Sequence, residues 1–223
     1  MNGNVNSPFE IGWEVVKANA FPIVVLWALA AVMVGVYYLA PQVAGALEPI
    51  AQLQTAYGRM SAFVSCAVFC GAIPYIVYVF HRASRPERPL FTAVAQAVWC
   101  GGCGIACNWF FGVQEHWFGA GHDIVTVVSK MVVDQFVWTV LVIAPANAAF
   151  YVILGRGFLL SGRTVSFWDF VRRAYLPNLI MNWFVGIPSN LAVYSFPRAL
   201  QIFVLGLLSS AWAVICVGIG RRF

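Results

Sequence analysis

The chain has 223 residues, of which 61% are hydrophobic and 9% are charged, and its formal net charge is +5. A soluble domain is roughly half apolar and a quarter charged, so this composition excludes an ordinary water-soluble protein. The 9 Trp and 18 Phe residues suit a chain that lies in hydrocarbon and at the membrane interface. The length predicts one membrane-embedded domain, residues 1–223.

Apolar segments long enough to cross a membrane, which takes about 20 residues, recur along the whole chain. The first ends at Pro41, the second at a basic stretch and the third at a polar loop. The fourth is unusually long, the fifth contains Pro177 and Pro188, and the sixth runs into the basic end of the chain. The predicted spans are 21–40, 59–80, 90–111, 124–155, 174–196 and 198–220. The sequence therefore predicts an all-α, polytopic transmembrane helical bundle with six spans, four being the minimum.

The positions of the basic residues support an even number of spans, because Lys and Arg stay on the side from which a membrane protein inserts. With six spans, Arg59 and Arg198 fall on one side and Lys130 lies inside the fourth segment. The other ten basic residues fall on the opposite side: Lys17, Arg82, Arg85, Arg88, Arg156, Arg163, Arg172, Arg173, Arg221 and Arg222. This division predicts that both termini lie on the cytoplasmic or matrix side. It also attributes the positive net charge to topology rather than to nucleic-acid binding.

Three cysteines, Cys100, Cys103 and Cys107, recur at helical spacing in the third segment. Three thiols on one face are a candidate metal or cluster site. However, no His or carboxylate falls within this run, and a thiol in an apolar helix behaves as a small hydrophobic group. The run also contains small residues that let membrane helices approach closely, namely Gly101, Gly102 and Gly104. We therefore predict structural cysteines, with no metal, cofactor or disulfide.

The fourth segment carries Lys130, Asp134 and Gln135 within an otherwise apolar run. A spacing of four places the lysine and the aspartate on one helix face, where they can neutralise each other. Two depths stay open for the pair: the outer mouth of the bundle, or the hydrocarbon, where an isolated charge costs about 2.5–3.5 kcal/mol. An ion pair would make either depth tolerable.

A polar stripe is predicted on the fifth segment. Asn178, Asn182 and Ser189 fall within about 40° of one another at 100° per residue. Such a stripe can line a hydrated path, or it can hold helices together, because Asn and Ser side chains form hydrogen bonds between membrane helices. The spacing leaves both alternatives open.

Several short motifs in the second half of the chain follow the order of a known family. They are GVQEHWF at 112–118, KMVVDQFVW at 130–138 and YLPNLIMNW at 175–183, followed by Pro188 and Trp212. Over residues 90–223 the chain resembles the peroxisomal and mitochondrial inner-membrane proteins of the Mpv-seventeen and PMP-twenty-two type. It departs from the family pattern at Ile187, where Trp is usual, and at Leu191, where Gln is usual, so it resembles a divergent member.

The resemblance implies an integral membrane protein that forms a small-solute pore or maintains membrane homeostasis. It implies the mitochondrial inner membrane first, with a peroxisomal or a bacterial inner membrane as alternatives. Together with the polar stripe, the matching motifs nominate seven residues for a pore lining or a polar core: His116, Lys130, Asp134, Gln135, Asn178, Asn182 and Trp183.

A second functional class stays open, in which the protein is a structural accessory subunit of a larger membrane complex without transport activity. The expected partners are membrane lipids, and other membrane-protein subunits or a second copy of the chain, but not nucleic acid. The sequence contains no nucleophile at motif spacing from a base, no phosphate loop and no metal signature. We therefore do not predict an enzyme.

Overall fold

The computed structural model of the chain describes residues 20–80, 85–155 and 166–220, together with residues 7, 9–10, 13–14 and 17. The elements formed by these residues are helices, and no strand occurs among them. The prediction of an all-α fold is therefore confirmed. Three helices in this part of the chain are long and apolar enough to cross a membrane, so the protein has the character of an integral membrane protein.

Six helical stretches are seen in the described ranges. They are α1 (Ala20–Leu39), α2 (Pro41–Phe80), α3 (Pro89–Phe118), α4 (Ile124–Gly155), α5 (167–195) and α6 (Arg198–Gly220). The three long apolar helices are α2, α3 and α4, and shorter apolar stretches lie in α1 and α6. The bounds of α4 and α6 agree with the predicted segments, whereas α2 begins earlier and α3 ends later than predicted.

Two of these stretches contain turns wider than those of an α-helix. In α4 a π-helix, Asp134–Ile143, joins the α-helices Ile124–Val133 and Ala144–Gly155. In α5 the π-helical turn Val171–Tyr175 follows Phe167–Phe170 and precedes Leu176–Ser195. Wide turns of this kind interrupt the regular α-helical register and are frequent at functional sites.

Gly58 divides α2 into two helical parts. Its backbone is non-helical, with φ 46° and ψ −106°, in the left-handed half of dihedral space that glycine enters most readily. The Gln54 amide spans the break, because its Nε2 donates to Gly58 O at 3.2 Å and to Asn108 Oδ1 of α3 at 3.2 Å. Residues 41–57, which the span prediction left as a connection, thus form a helix of their own. Apolar length alone does not detect this helix, since it carries polar side chains such as Glu48.

Close packing of α2 on α3 depends on glycine. A Cβ added at Gly104 would lie 2.7 Å from Cys66 Sγ, and one at Gly101 would lie 2.7 Å from the Phe63 ring. No neighbouring atom lies within 4 Å of a Cβ at Gly102. The predicted role in close helix approach is therefore confirmed for Gly101 and Gly104 and is wrong for Gly102.

The core runs through the middle of the bundle, and each of the six stretches contributes buried side chains to it. One such residue from each stretch, in chain order, is Ala30, Cys66, Phe111, Met131, Met181 and Ile202. The outside of the bundle carries large apolar side chains, including Leu39 and Phe80, which are 86% and 83% exposed. An apolar exterior around a packed interior is the arrangement expected for helices in lipid, where spanning segments satisfy their backbone hydrogen bonds internally.

Candidate functional site

Asp134 is a buried carboxylate held by neutral hydrogen-bond donors. Its Oδ1 accepts from Asn190 Nδ2 at 2.7 Å, from Gln135 Nε2 at 3.1 Å and from Thr139 Oγ1 at 3.3 Å. Its Oδ2 accepts from Tyr194 OH at 2.6 Å. An ionised carboxylate accepts about four hydrogen bonds, so these donors use its capacity without supplying a positive charge. We call these five residues the carboxylate cluster.

The predicted ion pair between Lys130 and Asp134 is wrong. Neither residue takes part in an ion pair among the described residues, although both side chains are buried. The Asp134 side chain lies against Asn190 and Tyr194 of α5 instead. Side chains of a helix lean toward its N-terminus, which for Lys130 is the end of α4 nearest Asp123. The Lys130 carbonyl, rather than its ammonium group, bonds across to α3, where Gln114 Nε2 donates to it at 3.0 Å.

A partly open cavity of about 130 Å³ lies beside the carboxylate cluster. It has room for several ordered waters or for one small solute, and most of its accessible wall is apolar. Helices α2 to α6 contribute to its wall. The polar and thiol side chains that line it are Cys66, Cys70, Cys100, Cys103, Cys107, Asp134, Gln135, Thr139, Asn147, Tyr151, Asn182, Ser189, Asn190 and Ser209.

The wide turn of α4 keeps a long row of side chains on the cavity. Gln135, Thr139, Ile143, Asn147 and Tyr151 all line it at intervals of four residues. At 3.6 residues per turn, each interval of four would rotate the next side chain by about 40°, and the row would leave the cavity. A π-helix has about 4.4 residues per turn, so an interval of four within Asp134–Ile143 rotates the next side chain by about 30° in the opposite direction and offsets the drift of the α-helical turns that follow.

Two acceptor oxygens at the cavity wall have no hydrogen-bond donor. Gln135 Nε2 donates to Asp134 and to Thr139, which directs Gln135 Oε1 away from them. That Oε1 is buried without a partner, and so is Asn182 Oδ1. A Cβ added at Gly186 would lie 2.8 Å from each of these two oxygens. The two acceptors therefore converge over Gly186, whose lack of a side chain lets both approach its backbone.

Pro188 changes the hydrogen bonding of α5 next to this site. A proline inside a helix has no N–H group, so the carbonyl four residues earlier loses its helical donor. That carbonyl belongs to Phe184, and the Trp27 indole of α1 donates to it at 3.1 Å. One residue further on, the Ser189 hydroxyl donates to Val185 O at 2.7 Å. The proline thus provides an attachment point for α1 on the back of the cavity wall.

The remaining nominated residues divide between the site and its surroundings. Asn182 lines the cavity, and the Trp183 indole donates to Gln135 O at 3.0 Å, which supports α4 from outside the cavity. Asn178 does not line the cavity; it is buried against α6, where its Nδ2 lies 3.8 Å from Cys216 Sγ, which is the helix-holding alternative of the stripe. His116 is exposed, since α3 continues through Phe118 and presents this residue on its outer face, so it does not line the cavity.

Sequence reasoning missed Thr139, Asn190 and Tyr194, which provide three of the four hydrogen bonds to Asp134. It also missed a second polar cluster around Gln96. Tyr78 OH donates to Gln96 Oε1 at 2.9 Å, and Gln96 Nε2 lies 2.8 Å from Ala213 O and 3.4 Å from Tyr151 OH. A single glutamine within an apolar span is itself a signal, because buried polar side chains in membranes are costly unless they are paired. We call Tyr78, Gln96 and Tyr151 the glutamine cluster.

Comparison with models of known protein families, with curated protein sequences and with solved structures finds no match to this chain. The resemblance to the Mpv-seventeen and PMP-twenty-two type therefore rests on the short motifs alone. A fold does not by itself determine an activity, so the function has to be argued from the geometry of the cavity and its lining.

Proposed function

We propose that this protein is a six-span membrane protein whose partly open cavity forms part of a path for small polar solutes. The observation that carries the proposal is the carboxyl group of Asp134, which is buried beside the cavity and has no basic partner among the described residues. A charge within a membrane segment is costly and, where it occurs, usually marks a pathway. Holding helices together does not require one, because the neutral glutamine cluster joins α2, α3, α4 and α6 in the same protein.

The contacts between helix ends support the six-span arrangement. Tyr38 OH, at the end of α1, donates to Ser195 O at the end of α5. Arg198, at the start of α6, donates to Asn108 O and lies 3.8 Å from Glu115 of α3. These ends are the ones that alternating spans would bring to one side of the membrane. Five of the basic residues assigned to the opposite side lie outside the described residues, namely Arg82, Arg156, Arg163, Arg221 and Arg222.

The resemblance supports the mitochondrial inner membrane as the location. It also supports a small solute, because the family is described as small-solute pores or membrane-homeostasis proteins. The size of the cavity suits a solute of a few non-hydrogen atoms.

A flux assay with the purified full-length protein in liposomes tests the proposal. We expect faster entry of small polar solutes such as urea than into protein-free liposomes, and no faster entry of a disaccharide. Asp134→Asn keeps the side-chain size but removes the charge, and we expect it to change the flux at least about threefold, because charged groups at a constriction select what passes. The matched control is Asp169→Asn, which removes an exposed carboxylate outside the cavity.

Folded wild-type protein that leaves liposomes no more permeable than empty ones would overturn the transport proposal. That result would favour the alternative, a structural accessory subunit in which the same hydrogen bonds hold helices together. Extraction in a mild detergent would then be expected to recover the chain in a larger complex.

A further inference from the structure

At one place the wall of the cavity presents two acceptors that have no donor, and the indole N–H groups of Trp138 and Trp212, which also line the cavity, have no acceptor. Gln135 Oε1 and Asn182 Oδ1 converge over Gly186, and neither has a donor within hydrogen-bonding distance. Leaving a buried acceptor unpaired costs about 1–3 kcal/mol, so the folded protein is more stable when something fills this place. Gln135 is only 2% exposed, so bulk water does not reach it in this conformation.

The charge at this place is negative. Gln135 connects the Asp134 carboxylate to the pair of unpaired oxygens, because its Nε2 donates to Asp134 while its Oε1 lies over Gly186. The only charged side chain on the described cavity wall is that of Asp134, and no Lys, Arg or His lines it. A ligand bound between the two amide oxygens would therefore experience an uncompensated carboxylate one side chain away.

We propose that the cavity binds a small monovalent cation, with Gln135 Oε1 and Asn182 Oδ1 as its ligands and Asp134 balancing its charge. This inference rests on the proposed function, to which it adds the class of the solute. Carbonyl and carboxylate oxygens suit hard cations and ammonium. One carboxylate neutralises a single positive charge, whereas Ca²⁺ takes six to eight oxygen ligands and Mg²⁺ keeps several waters.

Thermal unfolding of the purified full-length protein in detergent tests this site without any flux measurement. Tryptophan fluorescence is recorded in ammonium, potassium, sodium and choline chloride at equal ionic strength. Choline is too large to fit between the two oxygens and reports the effect of salt alone. At a concentration ten times the Kd, we expect at least one small cation to raise the Tm above its value in choline by about 3–6 °C.

Gly186→Ala is the most selective variant for this test. The new Cβ would press on the ends of two flexible side chains, so the fold can adjust by moving their oxygens apart. We expect the variant to unfold in choline within a few degrees of the wild type and to lose the cation-dependent increase in Tm. The matched control is Gly102→Ala, which makes the same change at a helical position where no neighbouring atom lies within 4 Å of the new Cβ.

Asn182→Leu, which removes one of the two oxygens, decides the question if Gly186→Ala does not fold. Loss of the increase in either variant, with the increase kept in Gly102→Ala, supports the site. Equal Tm values in all four salts for the wild type, or an unchanged increase in both Gly186→Ala and Asn182→Leu, would overturn it. Urea flux without a cation-dependent increase in Tm would retain the proposed function and reject this site. A cation-dependent increase in Tm without urea flux would retain the site and reject the proposed function.

Discussion

The two buried polar clusters of this bundle differ in charge and in completeness. In the glutamine cluster, the Gln96 carbonyl and amide groups both find partners, and every member is neutral. In the carboxylate cluster, Asp134 receives four hydrogen bonds, yet the adjacent Gln135 Oε1 receives none. The first arrangement satisfies its own polar groups, whereas the second leaves an acceptor directed at a cavity. Similar burial thus accompanies a complete set of hydrogen bonds in one cluster and an incomplete set in the other.

The largest expected effect on stability comes from removing the acceptor at the centre of the carboxylate cluster. Asp134→Leu leaves four donors without their acceptor, and we expect a loss of about 3–5 kcal/mol in the free energy of unfolding. Gln96→Leu strands fewer groups and should cost about 1–3 kcal/mol. Thermal unfolding in detergent measures both losses. Asp134→Asn keeps one acceptor oxygen, so its loss of stability should be smaller than that of Asp134→Leu. A greater loss for Gln96→Leu than for Asp134→Leu would contradict this order.

A smaller effect is expected from Lys130, which the structure separates from the carboxylate cluster. In a double-mutant cycle with Lys130→Met and Asp134→Asn, we expect a coupling free energy below about 0.5 kcal/mol, because the two side chains form no ion pair and their contact is the backbone hydrogen bond from Asp134 N–H to Lys130 O. Removing one partner of a true buried ion pair would cost about 3–5 kcal/mol and would appear as strong coupling. Unfolding of the two single variants, the double variant and the wild type gives the value. Coupling above about 1.5 kcal/mol would show that the two charges do interact.

The smallest effect is expected at Asp123, an exposed carboxylate that lies outside both clusters and caps α4. Its Oδ1 accepts from the backbone N–H groups of Val125 and Thr126 at 3.1 Å, and its Oδ2 accepts from the Thr126 hydroxyl at 2.7 Å. These hydrogen bonds, that of the Thr126 hydroxyl first, lower the pKa of Asp123 below its ordinary value. A carboxyl with a lowered pKa stabilises the folded state above its unfolded pKa, about 3.9, and this contribution is lost as the pH falls through the folded pKa.

Asp123→Ala should therefore lower the Tm at pH 7 by about 1–2 °C, and the difference from the wild type should shrink as the carboxyl becomes protonated. Asp123→Asn serves as the control, since Asn also caps helices but does not titrate. Near neutral pH, the Tm of Asp123→Asn should differ little from that of the wild type. A difference between Asp123→Ala and the wild type that grows on acidification would contradict the direction of the pKa shift.

The helices could largely be predicted from the sequence, because a chain this apolar has few ways to satisfy its backbone other than long helices. The bounds of α4 and α6 follow from hydropathy and from the positions of basic residues. The helix over 41–57 could not be found in this way, since it is too polar to score as a span. Its end at Gly58 depends on a backbone dihedral that composition does not reveal.

The candidate site could be predicted only in part. Asp134 and Gln135 stand out in an apolar run, and Asn182, which the polar stripe nominated, lines the cavity. The partner of Asp134 could not be predicted, because Asn190 and Tyr194 lie 56 and 60 residues further along the chain and meet it only once α4 packs on α5. Local spacing favoured Lys130 instead, and it assumed a regular α-helix at the residue where the π-helix begins.

The wide turn in α4 also affects how related chains would have to be compared. Relative to a regular α-helix, a π-helical turn accommodates an additional residue without forming a loop. A relative that has an unbroken α-helix here would therefore differ by a one-residue gap inside Asp134–Ile143, in the middle of a membrane segment where gaps are not expected. An alignment that forbids this gap would place Asn147 and Tyr151 opposite residues of the wrong helix face. The length of this segment is thus as informative about shared ancestry as the identity of its polar residues.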